Sequence, residues 1–316
     1  VKYPLKRVGK RGEGRWKRIS WDEALTEIAD KIIEVLREHD PETIINFYGS
    51  NLAFEAGASS MAKLRFMDLI GGVFCDTFGG VGDSCTGAAV TYGSSNYDGT
   101  SNDWFNSDYL VLWNFNPVYT RIPEAHFLWE ARYNGAQVVS IAPDYNASSI
   151  HADLWVNPRV GTDAALALGM AQVILAEGLH NVRYLKEQTD LPFLVREDTR
   201  RFLRGKDLEA GGKEDVFYLW DARTKRLRKA SKKSLDLGEL DPALEGSWEV
   251  TLADGKKVRV RTVFDHLKKV LETYTPDRAF QMTGVHPEVI RRLARDYAQA
   301  RAALISSTLR SNSRSV

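Results

Sequence analysis

The chain has 316 residues, of which 43% are hydrophobic and 27% are charged, so its composition is that of a folded protein long enough for about two domains. The 43 basic and 42 acidic residues nearly cancel, which leaves no overall field for binding nucleic acid or an anionic membrane. No run approaches the ~20 apolar residues of a membrane span, so the sequence predicts no such segment in this chain.

A locally basic arm at residues 2–18 opens the chain, and we interpret it as a solvated arm or a subunit contact. Ser20, followed three residues later by Glu23, forms a capping box that predicts the start of a helix. The apolar residues of 22–39 recur with helical spacing, so we expect this helix to be buried.

A βα unit comes next, with a short strand predicted at 43–49 and a helix at 56–72 that ends at a pair of glycines. Residues 74–106 then change to Gly, Ser, Thr, Asn and Asp with interleaved aromatic residues. This stretch is too polar for a core and too long for a simple connection, and loops of this kind often line active sites.

A second module alternates short apolar strands with helices. Strands are predicted at 109–113 and 137–142, and helices near 123–134 and at 162–178. Because short apolar strands that alternate with helices form parallel sheets, the sequence predicts an α/β fold.

Residues 205–262 interrupt this alternation with a charge-rich stretch in which Asp254–Gly255 marks a β-hairpin, and we interpret them as a surface insertion. Helical patterns resume at 263–273 and run again from Pro287 to Arg301. The sequence ALISS at 303–307 is predicted to be a strand.

Polar side chains in WNFNPVYTR directly follow the first strand of the second module, at the carboxyl edge where open α/β sheets bind ligands. The candidate ligand-binding residues here are Asn114, Asn116, Pro117, Thr120 and Arg121. Amides can bond phosphate oxygens, and the guanidinium can pair with a diphosphate oxygen. The alternative is an ordinary turn with an exposed arginine.

A second set of candidates follows the later strands of this module. Pro143 and Asp144 come at a strand end, where a carboxylate can accept hydrogen bonds from ribose hydroxyls. Gly161 permits close backbone approach, Thr162 can cap a helix or donate its hydroxyl, and the Asp163 carboxylate suits the N1–H and N2–H edge of guanine. This combination predicts a guanine dinucleotide site. Alternatively, Asp163 is a first-turn carboxylate that favours the helix dipole.

Motifs of other enzyme classes are missing from the sequence. No GxGxxG fingerprint occurs, so nicotinamide binding is not supported, and neither HExxH nor GxSxG occurs. These observations disfavour a hydride-transfer dehydrogenase, a zinc hydrolase and a serine hydrolase.

The segments 19–25, 113–127, 143–146 and 161–166 resemble the large subunit of molybdopterin oxidoreductases. The nearer resemblance is to the type II branch of the dimethyl sulfoxide reductase superfamily, which includes nitrate, selenate and chlorate reductases and dehydrogenases of dimethyl sulfide and ethylbenzene. It covers nearly the whole chain. It implies a molybdenum–bis(molybdopterin guanine dinucleotide) cofactor and oxygen-atom transfer or anaerobic hydroxylation of a small substrate.

The resemblance also implies a domain organisation, with two Rossmann-like three-layer α/β domains and a small β-hairpin insertion. The first domain, with a metal-site loop, is expected at residues 1–95, and the guanine dinucleotide domain at 96–275 with the insertion at 205–262. Residues 276–316 are expected to return to the first domain.

Asp83 is the metal ligand that the resemblance implies, since the type II branch has an aspartate at the matching position before a short helix. A hard carboxylate oxygen suits an oxophilic, high-valent molybdenum. The alternatives are a helix cap at Asp83, a thiolate ligand at Cys85, as in other branches, and a carboxylate ligand at Asp76.

Cys75 and Cys85 are the only cysteines, too few for the four thiolates that an iron–sulfur cluster normally takes. By resemblance, a [4Fe–4S] module is expected in a missing segment before this chain, which looks like an internal fragment. The implied partners are an iron–sulfur electron-transfer subunit and, in some members, a haem subunit. The fragment itself does not indicate a location, and the resemblance implies the periplasm or the outer face of the membrane. The alternative is an inactive cofactor-binding module that needs the missing iron–sulfur and C-terminal domains.

Overall fold

The computed structural model describes residues 2–47, 58–75, 86–93, 101–231 and 236–307. Contacts divide the chain into two compact units, Val1–Ser95 and Asn96–Val316.

Unit 1 combines a β-hairpin with a small parallel βα arrangement. The basic arm forms the hairpin, in which Leu5 pairs with Arg18 across antiparallel strands. The third and fourth strands pair in parallel, as the βα pattern predicts. The elements are β1 Leu5–Arg7, β2 Trp16–Arg18, α1 Trp21–Glu38, β3 Ile45–Asn46, α2 Ala58–Ile70, β4 Val73–Phe74 and α3 Thr86–Tyr92.

Helix α1 begins where the sequence predicts, because the Ser20 side chain accepts a hydrogen bond from the Glu23 backbone N–H at 3.1 Å. The expectation that this helix is buried is wrong for the described part of the chain. Only Ala24 is buried, whereas Leu25 and Ile28 are 57% and 56% exposed. The helical spacing identified an apolar face correctly, but no described segment covers it.

Unit 2 is built on a four-stranded, all-parallel sheet in the order β13 (Ala303–Ser307), β5 (Tyr109–Trp113), β6 (Gln137–Ile141) and β7 (Leu154–Val156). Register is continuous across the first three of these strands: Ile305 pairs with Val111, and Val111 with Val139. The elements up to the first long helix are β5 Tyr109–Trp113, α4 Pro117–Thr120, α5 Ala125–Tyr133, β6 Gln137–Ile141, β7 Leu154–Val156 and α6 Asp163–Ala176. Three further helices complete it, α7 Val182–Gln188, α10 Pro276–Thr283 and α11 Pro287–Gln299, together with β13 Ala303–Ser307.

Side chains alternate across strand β5 and so supply two separate cores. Val111 packs on one face with α6, α10 and α11, in a cluster that includes Leu166 and Ile290. Leu112 packs on the other face with α5, in a cluster that includes Leu128. The sheet is therefore covered on both faces, which explains why β5 is hydrophobic along its whole length rather than alternating.

Gly169 sets the distance between α6 and the helices that pack on it. A Cβ at this position would lie 2.8 Å from the Ala279 Cβ and 3.5 Å from the Ile290 Cγ2.

We expect Gly169→Ala to lower the free energy of unfolding by ~1–3 kcal/mol, because the extra methyl group overpacks this contact. Ala167→Gln, on the exposed side of the same helix, should change it by less than ~0.5 kcal/mol. Chemical denaturation measures both, and equal effects would contradict the packing argument.

The insertion forms its own small β-structure with its own core. It consists of β8 Leu194–Arg196, α8 Gly205–Leu208, β9 Tyr218–Asp221, β10 Arg226–Lys229, β11 Ser247–Thr251 and β12 Lys257–Thr262, followed by α9 Val263–Leu271. The predicted hairpin at Asp254–Gly255 joins β11 to β12. The β-structure begins before the predicted boundary at residue 205, because β8 pairs with β12 through Leu194 and Thr262.

The end of the described chain lies in unit 2 rather than in the first unit, where the resemblance placed residues 276–316. Strand β13 pairs along its whole length with β5, from Ala303 with Tyr109 to Ser307 with Trp113. Helices α10 and α11 pack against α6. These backbone hydrogen bonds and buried side chains make residues 276–307 part of the second sheet domain.

Among the described residues, every helix is too short or too polar to cross a bilayer.

Candidate functional site

The candidate site lies at the carboxyl edge of the parallel sheet in unit 2. Trp113 is level with Ile141, and Ile141 with Val156, so the loops after β5, β6 and β7 leave the sheet side by side. Two backbone hydrogen bonds extend this alignment beyond the strands, Asn114 N–H to Ile141 C=O at 2.8 Å and Ala142 N–H to Val156 C=O at 3.0 Å.

The strand order creates a switch point at this edge. From β5 the chain moves outward to β6 and β7, and it returns on the opposite side of β5 as β13. Connections that leave on opposite sides of neighbouring strands open a crevice between them, where α/β proteins bind ligands. The crevice therefore lies next to the residues that follow Trp113.

Asp163 is held in position by two donors from the end of β5. The Trp113 indole Nε1–H and the Asn114 Nδ2–H both donate to Asp163 Oδ1, each at 2.8 Å. The other carboxylate oxygen has no hydrogen-bond partner among the described residues. A partly buried carboxylate thus presents one satisfied oxygen and one available oxygen.

The backbone of Asn114 has an unusual conformation that makes this contact possible. Its φ of 50° lies in the left-handed region, which asparagine tolerates better than most residues with a side chain. The chain turns sharply at the end of β5, and the amide group can then reach α6.

The loop before α6 approaches the crevice with little side-chain bulk. Gly161 has a φ of 80°, and among the described residues no atom beyond its chain neighbours lies within 4 Å of where its Cβ would be. Thr162 Oγ1 donates to the Arg159 C=O at 2.6 Å, so its hydroxyl is used within the loop. Arg159 in turn donates through Nη1 to the Gln281 C=O at 2.8 Å. This arrangement fixes a loop whose backbone a ligand can approach closely.

The side chain of Asn116 is oriented by the fully buried Ser148. Ser148 Oγ donates to Asn116 Oδ1 at 2.6 Å and accepts from the Val118 backbone N–H at 3.3 Å. Since the Asn116 oxygen is used as an acceptor, its Nδ2 hydrogens remain to be donated, and none of the described residues accepts them.

Thr120 and Arg121 make local contacts instead of adding to this group. Thr120 Oγ1 donates to the Asn116 C=O at 3.0 Å, and Arg121 Nη1 pairs with Glu124 Oε2 at 3.2 Å. Both side chains are exposed, whereas Pro117 is buried at the start of α4. A diphosphate contact by Arg121 would require the exposed ion pair with Glu124 to open, which costs little.

The loop after β6 places Asp144 at the same edge. Asp144 is exposed and has no hydrogen-bond partner among the described residues. The preceding Pro143 C=O accepts from Asn157 Nδ2 at 3.4 Å, and Tyr145 packs edge-on against Trp155 with ring centroids 5.2 Å apart. These contacts link the loop after β6 to β7 and to the residue that follows it.

Two residues of this edge were missed in the sequence, Trp113 and Arg159, and so was the contact by which Ser148 orients Asn116. In the sequence, Trp113 is simply the last residue of an apolar strand. Its role becomes visible only in the structure, where the indole N–H donates to Asp163, 50 positions later. Ser148 stands among other small polar residues. No local pattern distinguishes either residue from its neighbours.

The predicted metal ligand and its two rivals, Asp83, Cys85 and Asp76, lie outside the described residues. Within the described ranges, no group of three or more His, Cys, Asp or Glu side chains is arranged to hold a metal ion.

These features define an α/β protein in which polar side chains gather at the carboxyl edge of a parallel sheet, beside its switch point. The sequence model of the molybdopterin oxidoreductase family matches residues 1–305. The chain belongs to the molybdopterin oxidoreductase family, which confirms the prediction from the sequence. Family membership implies a molybdenum–bis(molybdopterin guanine dinucleotide) cofactor.

Relatives are similar along almost the whole chain. Dimethylsulfide dehydrogenase subunit alpha from Rhodovulum sulfidophilum is 47% identical over 315 residues, which cover 96% of this chain and 33% of the relative. Perchlorate reductase subunit alpha from Dechloromonas aromatica (strain RCB) is 45% identical over 331 residues, covering 96% and 36%. The chain thus spans about a third of the length of these curated relatives.

A solved structure supports the fold. Acetylene hydratase from Pelobacter acetylenicus matches 98% of this chain and 32% of its own, with a TM-score of 0.58 and 23% sequence identity. At this identity the likeness concerns the fold alone, and it agrees with the mixed α/β architecture with parallel sheets.

Proposed function

We propose that this chain is part of the catalytic subunit of a molybdenum-dependent oxidoreductase, and that the crevice of unit 2 holds one guanine dinucleotide of the cofactor. The reaction is oxygen-atom transfer to or from a small substrate, such as nitrate, selenate, chlorate, a sulfoxide or a sulfide, or anaerobic hydroxylation. The names of the relatives, which act on dimethylsulfide and perchlorate, support this range of substrates.

The observation that carries the proposal is the carboxylate of Asp163. One oxygen is held by Trp113 and Asn114, and the other has no partner in the described chain. Guanine presents N1–H and N2–H donors, and a fixed carboxylate oxygen is an acceptor for them. Gly161 leaves room for the nucleotide beside it.

The other residues of the crevice fit the remainder of a dinucleotide. The Asn116 amide, oriented by Ser148, has donors available for phosphate or pterin oxygens. Asp144 suits ribose hydroxyls, which donate to carboxylates. Pro143 and Pro117 restrict the backbone of the two loops, and Thr120 and Arg121 lie at the exposed rim.

The bound cofactor supplies the two-electron oxygen-atom chemistry, whereas the protein supplies binding and orientation. Asp83 is the residue that we assign to the metal, on the resemblance alone.

We infer that the two parallel sheets belong to two Rossmann-like three-layer domains in the whole protein. We also propose an iron–sulfur electron-transfer subunit, with or without a haem subunit, as partner, and a location in the periplasm or on the outer face of the membrane.

The proposal is tested on the full-length protein by measuring molybdenum and the guanine nucleotide released per folded polypeptide. We expect one molybdenum and two GMP, because each of the two pterins carries one nucleotide. The 316-residue segment alone gives the contrast: guanine nucleotide without turnover would identify it as an inactive cofactor-binding module. Full-length protein that contains neither molybdenum nor GMP would refute the function.

Ser148 offers a test of the orienting contact. We expect Ser148→Ala to lower the guanine nucleotide retained by the full-length protein several-fold, because the amide of Asn116 is then free to rotate. Ser149→Ala is the matched control, since it removes an equally buried hydrogen bond, to Ser140 Oγ at 2.8 Å, and leaves Asn116 untouched. Each variant should lose ~1–3 kcal/mol of stability. Equal nucleotide contents in the two variants would show that Ser148 has only a structural role.

A further inference from the structure

A large open cleft lies within the insertion of unit 2, apart from the crevice described above. It has a volume of about 1430 Å³ and is bounded by β8, the loop at 197–201, α8 and α9. Cofactor and small-molecule pockets usually measure about 300–1,000 Å³, so this cleft is larger than one small ligand needs.

Positive charge predominates along the cleft. Seven cations line it, namely Arg196, Arg200, Arg201, Arg204, Lys206, Arg261 and Lys269, against the four carboxylates of Glu197, Asp207, Glu214 and Asp265. The local excess of three positive charges contrasts with a net charge of +1 for the whole chain.

The carboxylates of the cleft are already used by neighbouring groups. Glu197 pairs with Arg261 at 2.9 Å, and Asp207 with Arg196 at 2.7 Å. Lys206 pairs with Glu214 at 2.6 Å, and its hydrogen bond lowers the pKa of that carboxyl.

Asp198 is used in the same way, whereas Asp265 bonds a backbone amide. Asp265 Oδ2 accepts from the Gly246 backbone N–H at 2.9 Å. A hydrogen bond from Arg196 lowers the pKa of Asp198, beside the cleft, to about 2, so this carboxylate is ionised and paired at neutral pH. Glu197, Asp207, Glu214 and Asp198 are thus each held in an ion pair, whereas Asp265 keeps its charge.

Three of the lining cations have no such partner. Arg200, Arg201 and Lys269 are exposed and form no ion pair with any described residue. Aromatic and aliphatic side chains lie among them, including Phe202 and Tyr274. Arginine and aromatic residues are the types enriched in protein–protein interfaces. The volume, the unpaired arginines and the aromatic lining together favour a polypeptide over a small anion.

We propose that this cleft docks an acidic surface segment of the partner subunit, with Arg200, Arg201 and Lys269 as the contacts that select it. The relatives are named as alpha subunits, which agrees with a chain that works beside another subunit. The docking proposal rests on the proposed function for the existence of that subunit, and on the charges of the cleft for its location.

The first test is the affinity between the full-length catalytic subunit and its purified partner subunit, measured by sedimentation at several NaCl concentrations. We expect the R200E/R201E variant to raise the Kd at least tenfold at low salt, because like charges then face each other. The R200K/R201K variant, which keeps both charges, should stay close to wild type. The wild-type Kd should rise with salt as the charges are screened.

The matched control is K225E/R228E, which reverses two exposed cations of the same unit outside the cleft. It should leave the Kd unchanged. An R200E/R201E variant with wild-type affinity at every salt concentration would overturn the proposal. So would a K225E/R228E variant that weakens association equally.

A second test asks what covers the cleft. Cysteine at position 269, introduced as K269C into the full-length chain, is treated with a maleimide and the label is read by mass spectrometry. We expect labelling in the isolated subunit and at least tenfold slower labelling in the complex. Slow maleimide labelling in the isolated subunit would show that another segment of the same polypeptide fills the cleft. Slow labelling caused by inorganic phosphate alone would show that the cleft is a small-anion site. Either outcome would overturn the proposal.

Molybdenum and GMP are measured on the same preparations. If both are present while docking is independent of the cleft, only the docking surface is refuted. If neither is present, the proposed function is refuted instead.

Discussion

Asp163→Asn in the full-length protein should lower the affinity for the guanine nucleotide by roughly 10- to 100-fold while leaving the fold nearly intact. Asparagine keeps an oxygen that can accept from Trp113 Nε1 and Asn114 Nδ2, but it replaces the available oxygen with an NH₂ donor that faces the donor edge of guanine. The loss of a charge-assisted hydrogen bond is worth ~1.5–3 kcal/mol, and ~1.4 kcal/mol is a tenfold change in affinity.

Asp163→Ala is the informative comparison. It removes the acceptor of both donors, so it should lower the melting temperature as well as the nucleotide content, whereas the asparagine variant should lower mainly the nucleotide content. GMP released per folded polypeptide and the thermal transition are measured for both. If Asp163→Asn lowers the melting temperature and retains all its GMP, Asp163 only stabilises the start of α6, a role worth ~0.3–1 kcal/mol.

Asp83→Ala in the full-length enzyme should abolish turnover. The resemblance makes this aspartate the protein ligand of molybdenum, and an alanine cannot replace a carboxylate oxygen at an oxophilic metal. Turnover and molybdenum content are measured together on the folded variant. If Asp83 were only a helix cap, its replacement by alanine would lower stability by ~0.5–2 kcal/mol and leave turnover per folded molecule unchanged.

Cys85→Ser is the control for the Asp83 assignment. A thiolate also binds molybdenum, and the serine variant removes it while keeping the size of the side chain. We expect the serine variant to keep both its metal and its turnover. Loss of activity in Cys85→Ser together with retention in Asp83→Ala would transfer the ligand role to the cysteine.

The parts of the fold that the sequence predicted are those that local patterns specify. The apolar run at Tyr109–Trp113 forms β5, the proline at position 287 begins α11, and Asp254–Gly255 joins the predicted hairpin. In each case a property of a few consecutive residues, either continuous hydrophobicity or a preferred turn, determines the element.

The parts that were missed depend on partners far along the chain. Strand β7, Leu154–Val156, has only three residues with an exposed tryptophan in the middle, and it exists because it pairs with β6. Strand β8 similarly depends on β12, more than 60 positions later. Hydrogen bonds between distant segments leave no periodic signal in either segment.

In the candidate site too, some residues could be predicted from the sequence, whereas the contacts that orient them could not. Asn116 and Asp163 were predicted because open sheets bind ligands after their strands and because a carboxylate suits guanine. That Ser148 orients one of them and Trp113 the other could not be predicted, since each contact joins residues 32 or 50 positions apart.

The bridge from the end of β5 to Asp163 bears on the order of events during maturation. Trp113 and Asn114 hold the carboxylate at a partly buried position through hydrogen bonds that need no nucleotide. Side-chain freedom at this edge is therefore lost when the chain folds and not when the dinucleotide arrives. We expect the apoprotein to protect the amides of β5 and the first turn of α6 from hydrogen exchange about as well as the loaded enzyme does. The dinucleotide would then bind at this edge only after the chain has folded, to side chains that are already ordered.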